Sequence, residues 1–249
     1  MIEKNMEDEV LVLRFAHGKA SALDTEFLRE IASEIAAYEA SDARACILTG
    51  TGRIFSAGVD LKQLVEGGDA YLDEFLPALE DTFHALFFCE KPIVAACNGH
   101  AIAGGGIILS CCDVRIGACG RGRIGVPELS VGVPFPPLAL EIMRFVTPAH
   151  HLQTTLYSGD TYDMDAALAR GLLDSLSEAE ELDDHALAVA RKLGSYPGEA
   201  FASTKRMLRR PVADRLAAHA EADRARIREL WGSAEVRAAI EDYVAKTLG

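Results

Sequence analysis

The sequence predicts an α/β fold followed by a helical C-terminal region, and three observations lead there. Strand-length apolar runs alternate with stretches of helical periodicity, glycine-rich loops follow the strand-like runs, and after about Pro197 the pattern becomes predominantly helical. The chain divides accordingly into a core of residues 1–196 and a helical region of residues 197–249.

In order along the chain, EVLVLRFA (9–16) has the composition of a buried strand. A helix follows over about Asp24–Ala40, with Asp24 as N-cap and Leu23, Phe27, Ile31 and Ile35 recurring at four-residue steps on one face. ACILTG (45–50) reads as the second strand. A glycine-punctuated loop then enters a helix carrying Leu72, Leu76, Leu79, Phe83 and Leu86 at helical spacing. PIVAACNG (92–99) and DVRIGA (113–118) supply two more strands, separated by a glycine triplet at 104–106 and a short helix. SYPGEA (195–200) is a hinge into the last helices, where Val236, Ile240, Val244 and Leu248 form a ladder. Such a ladder must either fold back on the domain or help build a subunit interface. No internal sequence repeat and no low-complexity tract is visible.

The formal charge is −13, with 25 basic against 38 acidic residues, which argues against sequence-independent nucleic-acid binding. The acidic opening MIEKNMEDEV reads as neither secretory signal nor transit peptide, and KTLG carries no targeting tripeptide, so a cytoplasmic protein without a membrane partner is expected. Six cysteines without a C-x-x-C pair read as reduced core residues, and seven histidines without ligand spacing argue for no metal.

GRGRIG (120–125) matches the dinucleotide pattern G-x-G-x-x-G, but the following VPELSVGVP is a poor start for a long helix. It is read as an exposed basic turn. Phosphate-loop and G-x-S-x-G patterns are absent. Two small-residue loops remain as ligand sites, 54–62 and 100–108, each just after a predicted strand. Three glycines in a row serve either close packing or close approach to a ligand, and two such loops facing each other could aim two N–H donors at one oxygen.

F-S-A-G-V-D-L-K at 55–62, N-G-x-A-x-A-G-G-G at 98–106, C-D at 112–113 and P-E-x-x-x-G at 127–132 occur in linked order. With these motifs the chain resembles the crotonase family, the enoyl-CoA hydratase and isomerase superfamily, across roughly residues 9–176. The resemblance implies a spiral of ββα units whose C-terminal helices mediate homotrimers or dimers of trimers, and an acyl-CoA thioester as substrate with no separate cofactor. It further implies an oxyanion hole from the backbone N–H groups of Val59 and Gly104, with Val59 where alanine is usual. Lys19 and Lys62, with neighbouring Ala20, match positions near CoA phosphates, and the stretch Ala57 to Leu61, including Asp60, matches the adenine end. Each lysine has the alternative of a plain solvated charge. Asp60 and Asp113 are read as loop-holding acids, and His100 as a structural histidine.

Hydrating relatives resemble one another in presenting two glutamates to one water. The second position here is Glu128; the first is Ile107, which can neither accept nor donate a proton. One carboxylate suffices for a 1,3 proton shift, so the resemblance points to a Δ3,Δ2-enoyl-CoA isomerase with Glu128 as shuttle. Its burial against Ile107 and Val126 should raise its pKa. A helix-start or salt-bridge glutamate is the ordinary alternative. Phe135, in the stiff VPFPPLALEI segment (133–142), either shapes the acyl pocket or packs in the core. Another family reaction, such as hydration or thioester hydrolysis, and acyl-CoA binding without turnover complete the alternatives.

Overall fold

The computed structural model describes residues 1–247. The chain opens with an antiparallel hairpin of β1 (Ile2–Glu7) and β2 (Val10–Phe15), turned through Asp8 at φ 58°. Strand β1 was not expected from the acidic opening. It lies at the sheet edge with Glu3 to Glu7 exposed, so no apolar alternation marks it.

A short strand, β3 (Ala22–Leu23), leads into α1 (Thr25–Ala40), capped as expected by Asp24, whose Oδ1 accepts from Phe27 N–H at 2.8 Å. Then β4 (Ala45–Thr49), β5 (Ile54–Ser56) and β6 (Gly58–Val59) precede α2 (Leu61–Phe88). Helix α2 starts earlier than its leucine repeat suggests, because Asp60 caps it through the N–H groups of Lys62 and Gln63. It is interrupted at Gly68, where φ is 58°.

The next unit is β7 (Ile93–Cys97), β8 (His100–Ile102) and α3 (Gly104–Cys111); the next is β9 (Val114–Ala118), β10 (Ile124–Gly125) and the one-turn α4 (Glu128–Val131). Each places one strand in a large sheet and one in a small sheet before its helix, a ββα spiral that sequence self-similarity does not reveal. Helices α5 (Pro137–Val146) and α6 (Ala149–Ser158), β11 (Thr161–Tyr162), α7 (Met164–Ala169), β12 (Ser175–Ser177) and α8 (Leu182–Gly194) complete the core. The large sheet runs β1-β2-β4-β7-β9-β12, parallel from β2 onward, and β5, β8 and β10 pair in parallel in the small one. GRGRIG is a turn into β10, with Gly120 and Gly122 at positive φ, and no long helix follows.

Helices α9 (Gly198–Trp231) and α10 (Ala234–Thr247) fold back on the core. Val236 and Ile240 of the ladder are buried and Val244 packs against them, while Leu248 lies outside the described residues. Between α8 and α9, the segment read as a hinge is held by Arg44, which donates to the carbonyls of Gly194 and Tyr196.

Asp113 is the main tie for α9. Its carboxylate accepts from Ile93 N–H at 2.8 Å, Lys205 Nζ at 2.7 Å and Arg209 Nη2 at 2.8 Å, and both cations are almost fully buried. Burial pulls the Lys205 ammonium down, and Asp113 opposes that shift. Cys46, Cys89, Cys97, Cys111 and Cys112 are buried free thiols, with burial pushing each pKa up. They are therefore inert packing groups. Asp113→Ala would strand two buried cations, an expected cost of about 3–5 kcal/mol in urea unfolding. A loss below about 1 kcal/mol would show that the cluster does not anchor α9.

Candidate active site

Two small-residue loops meet at the centre of the molecule. On the first, Ser56 Oγ donates to Ser21 O at 2.7 Å and accepts from Gly58 N–H, while Asp60 N–H donates to Leu23 O at 3.0 Å. On the second, Ala103 sits at φ 49°, a conformation that costs a non-glycine residue about 1–3 kcal/mol. It is held there by its N–H to Gly125 O at 2.8 Å and its carbonyl from Ile107 N–H at 3.0 Å. The loops touch: a Cβ on Gly58 would lie 2.5 Å from Ile102 O and 3.2 Å from Gly104 N.

Two glycines of the triplet serve the close packing considered from the sequence, and the third lines a cavity. A Cβ on Gly105 would meet Ser56 O at 2.4 Å, and one on Gly106 would meet Gly125 O at 2.9 Å, so these two let α3 lie against the small sheet. Gly104 instead borders a cavity of about 240 Å³. It begins α3, so its amide is among those at a helix N-terminus with no intrahelical acceptor.

Val59, Gly104, Ile107 and Glu128 all line that cavity. Glu128 is the first residue of α4. Gly132, at φ 83°, ends this single turn by donating to the carbonyls of Glu128 and Leu129, and Val133 N–H also donates to Glu128 O, at 2.9 Å. The motif glycine therefore closes the turn that presents the glutamate. Of its carboxyl, Oε2 is buried without a hydrogen-bond partner among the described residues. Desolvation pushes its pKa up to about 8, with a smaller opposing effect from its own backbone N–H. Ile107, in the same wall, is almost wholly buried and cannot donate to it.

Ala20, Ala57, Asp60, Leu61 and Lys62 also line the cavity. Asp60 is committed to its cap, which leaves Glu128 as the lining carboxylate with a buried, unpartnered oxygen among the described residues. Lys19 and Phe135 are not in the wall. Lys19 is on an exposed loop, and Phe135 is partly buried against the core while its extended neighbour Pro136 faces the cavity. Sequence reasoning missed Trp231 and Tyr243, which the C-terminal helices bring into the wall. Trp231 Nε1 donates to Pro134 O at 3.0 Å and its ring packs on Phe75, so it fixes the loop that carries Val133 and Pro136. Being the sole tryptophan was the available signal. Two backbone amides and a proton-accepting carboxylate around an apolar cavity can stabilise charge on an oxygen while moving a nearby proton.

The family model for enoyl-CoA hydratase/isomerase matches residues 5–248. The chain belongs to that family. Within this family of acyl-CoA enzymes, the mitochondrial enoyl-CoA delta isomerase 1 of Rattus norvegicus is 29% identical over 90% of this chain and 78% of its own length. A short-chain-enoyl-CoA hydratase of Clostridium acetobutylicum is 30% identical over 82% of this chain and 79% of its own. The crystal structure of human mitochondrial delta3-delta2-enoyl-CoA isomerase superposes with a TM-score of 0.93 at 25% identity, covering 98% of this chain and 97% of that one. Family membership and the crotonase fold implied by the linked motifs are thereby established; at these identities, isomerase and hydratase relatives stand side by side. Among the described residues, no helix is long and apolar enough to cross a membrane.

The raised pKa of Glu128 sets a stability prediction. Below pH 4.5 the carboxyl is protonated both folded and unfolded; between 4.5 and about 8 the unfolded chain releases a proton that the folded chain keeps. Wild-type stability should therefore fall across that window, by roughly 4 kcal/mol at about 1.4 kcal/mol per pH unit. Glu128→Gln cannot titrate, so its stability relative to wild type should climb from pH 4.5 to 8 in parallel denaturation series. A constant difference would mean that the carboxyl is solvated.

Proposed function

We propose that the protein is a Δ3,Δ2-enoyl-CoA isomerase in which Glu128 carries one proton between two carbons. The observation that carries this reading is a single carboxyl on an apolar cavity, its Oε2 buried without a partner, with buried Ile107 at the family's other acid position. The Glu128 carboxylate removes a proton from C2 of a 3-enoyl thioester. The C2–H electron pair delocalises over C2 and the thioester carbonyl, giving a dienolate conjugated with the C3–C4 double bond. The N–H groups of Val59 and Gly104 donate to the dienolate oxygen, and each such donor is worth about 3 kcal/mol in related chemistry. The Glu128 carboxyl then returns the proton to C4, leaving the double bond at C2–C3.

Hydration of a 2-enoyl thioester would need proton-transfer groups for both the water and the α-carbon, and Ile107 supplies neither. The same reading places the CoA moiety along Ala57 to Lys62, with Lys62 toward its phosphates. It assigns subunit association, as a homotrimer or a dimer of trimers, to the helical region, where Met207 and Leu208 of α9 are 57% and 63% exposed.

Purified protein given a 3-enoyl-CoA should form the conjugated 2-enoyl product, followed by its absorbance, and Glu128→Gln should lose about 10²–10⁴-fold in kcat. Unchanged turnover would remove Glu128 from the mechanism. Water addition to a 2-enoyl-CoA at a rate near that of isomerisation would make the protein a hydratase instead. For the wild type, kcat/KM should rise with pH and level off above about 8, where the free base predominates.

A further inference from the structure

We infer that the site is built for acyl chains well beyond four carbons, whose tails run past Phe83 and Pro136 into a second cavity between α2 and α9. This rests on acyl-CoA as the substrate, whatever the reaction. The second cavity measures about 350 Å³ and shares Phe83 and Pro136 with the first.

Three segments place the two side by side, because each contributes residues to both. On α2, Leu79 lines the first cavity and Leu76 the second, and residues three apart are neighbours on a helix face. On α9, Trp231 and Ile227 are related in the same way, one turn apart. Around the start of α5, Ala139 lines the first, Leu138 the second and Pro136 both.

The chemistry of the second space suits an alkyl tail. Leu72, Leu76, Ile227 and Leu138 give it apolar walls. Its charged lining groups are mostly engaged with one another across the two helices: Arg224 is bidentate to Glu80 at 2.8–3.0 Å, and Arg228 Nε pairs with Asp73 at 2.5 Å. These pairs span α2 and α9 without leaving a lone cation to attract an anionic ligand. Size agrees as well. At about 240 Å³ the first cavity falls below the roughly 300–1,000 Å³ usual for small-molecule sites, whereas the two together fall inside it.

The test is calorimetric binding of saturated butyryl-, hexanoyl-, octanoyl- and dodecanoyl-CoA, which requires no turnover. Affinity should rise past six carbons, with dodecanoyl-CoA at least tenfold tighter than butyryl-CoA. Leu76→Trp and Ile227→Trp, which fill the second cavity, should each cut that ratio at least fivefold. An affinity flat beyond hexanoyl-CoA, or a ratio unchanged in folded variants, would overturn the inference. Should either variant fail to fold, a crystal structure of wild type with dodecanoyl-CoA decides: the terminal carbons belong against Leu76 and Ile227, and a tail in solvent or coiled inside the first cavity refutes the assignment. A flat series with rapid 3-enoyl-CoA conversion would leave the isomerase reading standing. A rising series without conversion would leave only the tail site.

Discussion

The whole arrangement depends on how closely α3 approaches the small sheet. Gly105 and Gly106 bring the helix backbone against Ser56 and Gly125 at distances that leave no room for a Cβ. That contact fixes where α3 begins, and therefore where the Gly104 amide meets the 56–60 loop. It also explains why a strained Ala103 is tolerated: the peptides on both sides of it are hydrogen-bonded, so the turn has no cheaper conformation to relax into. The site is thus a by-product of stacking successive ββα units, in which one strand end and one helix start are delivered to the same place.

Much of this was legible in the residues, and the reasons are local. Asp24 announced a helix start because a carboxylate ahead of unpaired N–H groups is a short-range interaction, whereas Asp60, read as a loop-holding acid, caps a helix that begins before its leucine repeat. The parallel strands β4 and β7 were visible because burial on both faces makes them continuously apolar. Glu128 stood out through its motif, although the buried, unpartnered state of its Oε2 could be learned only from coordinates. What stayed hidden was non-local. Nothing in 201–231 says that Lys205 and Arg209 will meet Asp113, or that Trp231 will reach Pro134. Phe135 and Pro136 could not be told apart for a related reason: adjacent residues of an extended segment face opposite ways, and only the packed loop decides which faces the cavity.

The C-terminal helices therefore serve more than the outside of the molecule. Helix α9 is nailed at one end by the Asp113 cluster and reaches the cavity at the other through Trp231, with its paired arginines along α2 between. Buried ion clusters of this kind contribute little net stability compared with apolar packing, but they penalise every misplaced arrangement heavily. Here that penalty sets the register of a long helix few of whose own side chains are buried. Misplacing it by a turn would move Ile227 toward the place of Trp231 and open the cavity wall.

The lone desolvated carboxyl gives the proposed reaction its symmetry. A shuttle has to take a proton from one carbon and give it to another, so its two protonation states must both be accessible near neutrality. A glutamate in water is too weak a base for the first half, and one held by an arginine would be a weaker base still. Raising the pKa by desolvation alone, to about 8, favours removal without attaching the proton to any third group. A second carboxylate at position 107 would couple to the first and split their titrations, suiting each to one half of a two-group reaction. Isoleucine there leaves the single acid uncoupled, and the same apolar wall raises the proton affinity that the proposed transfer requires.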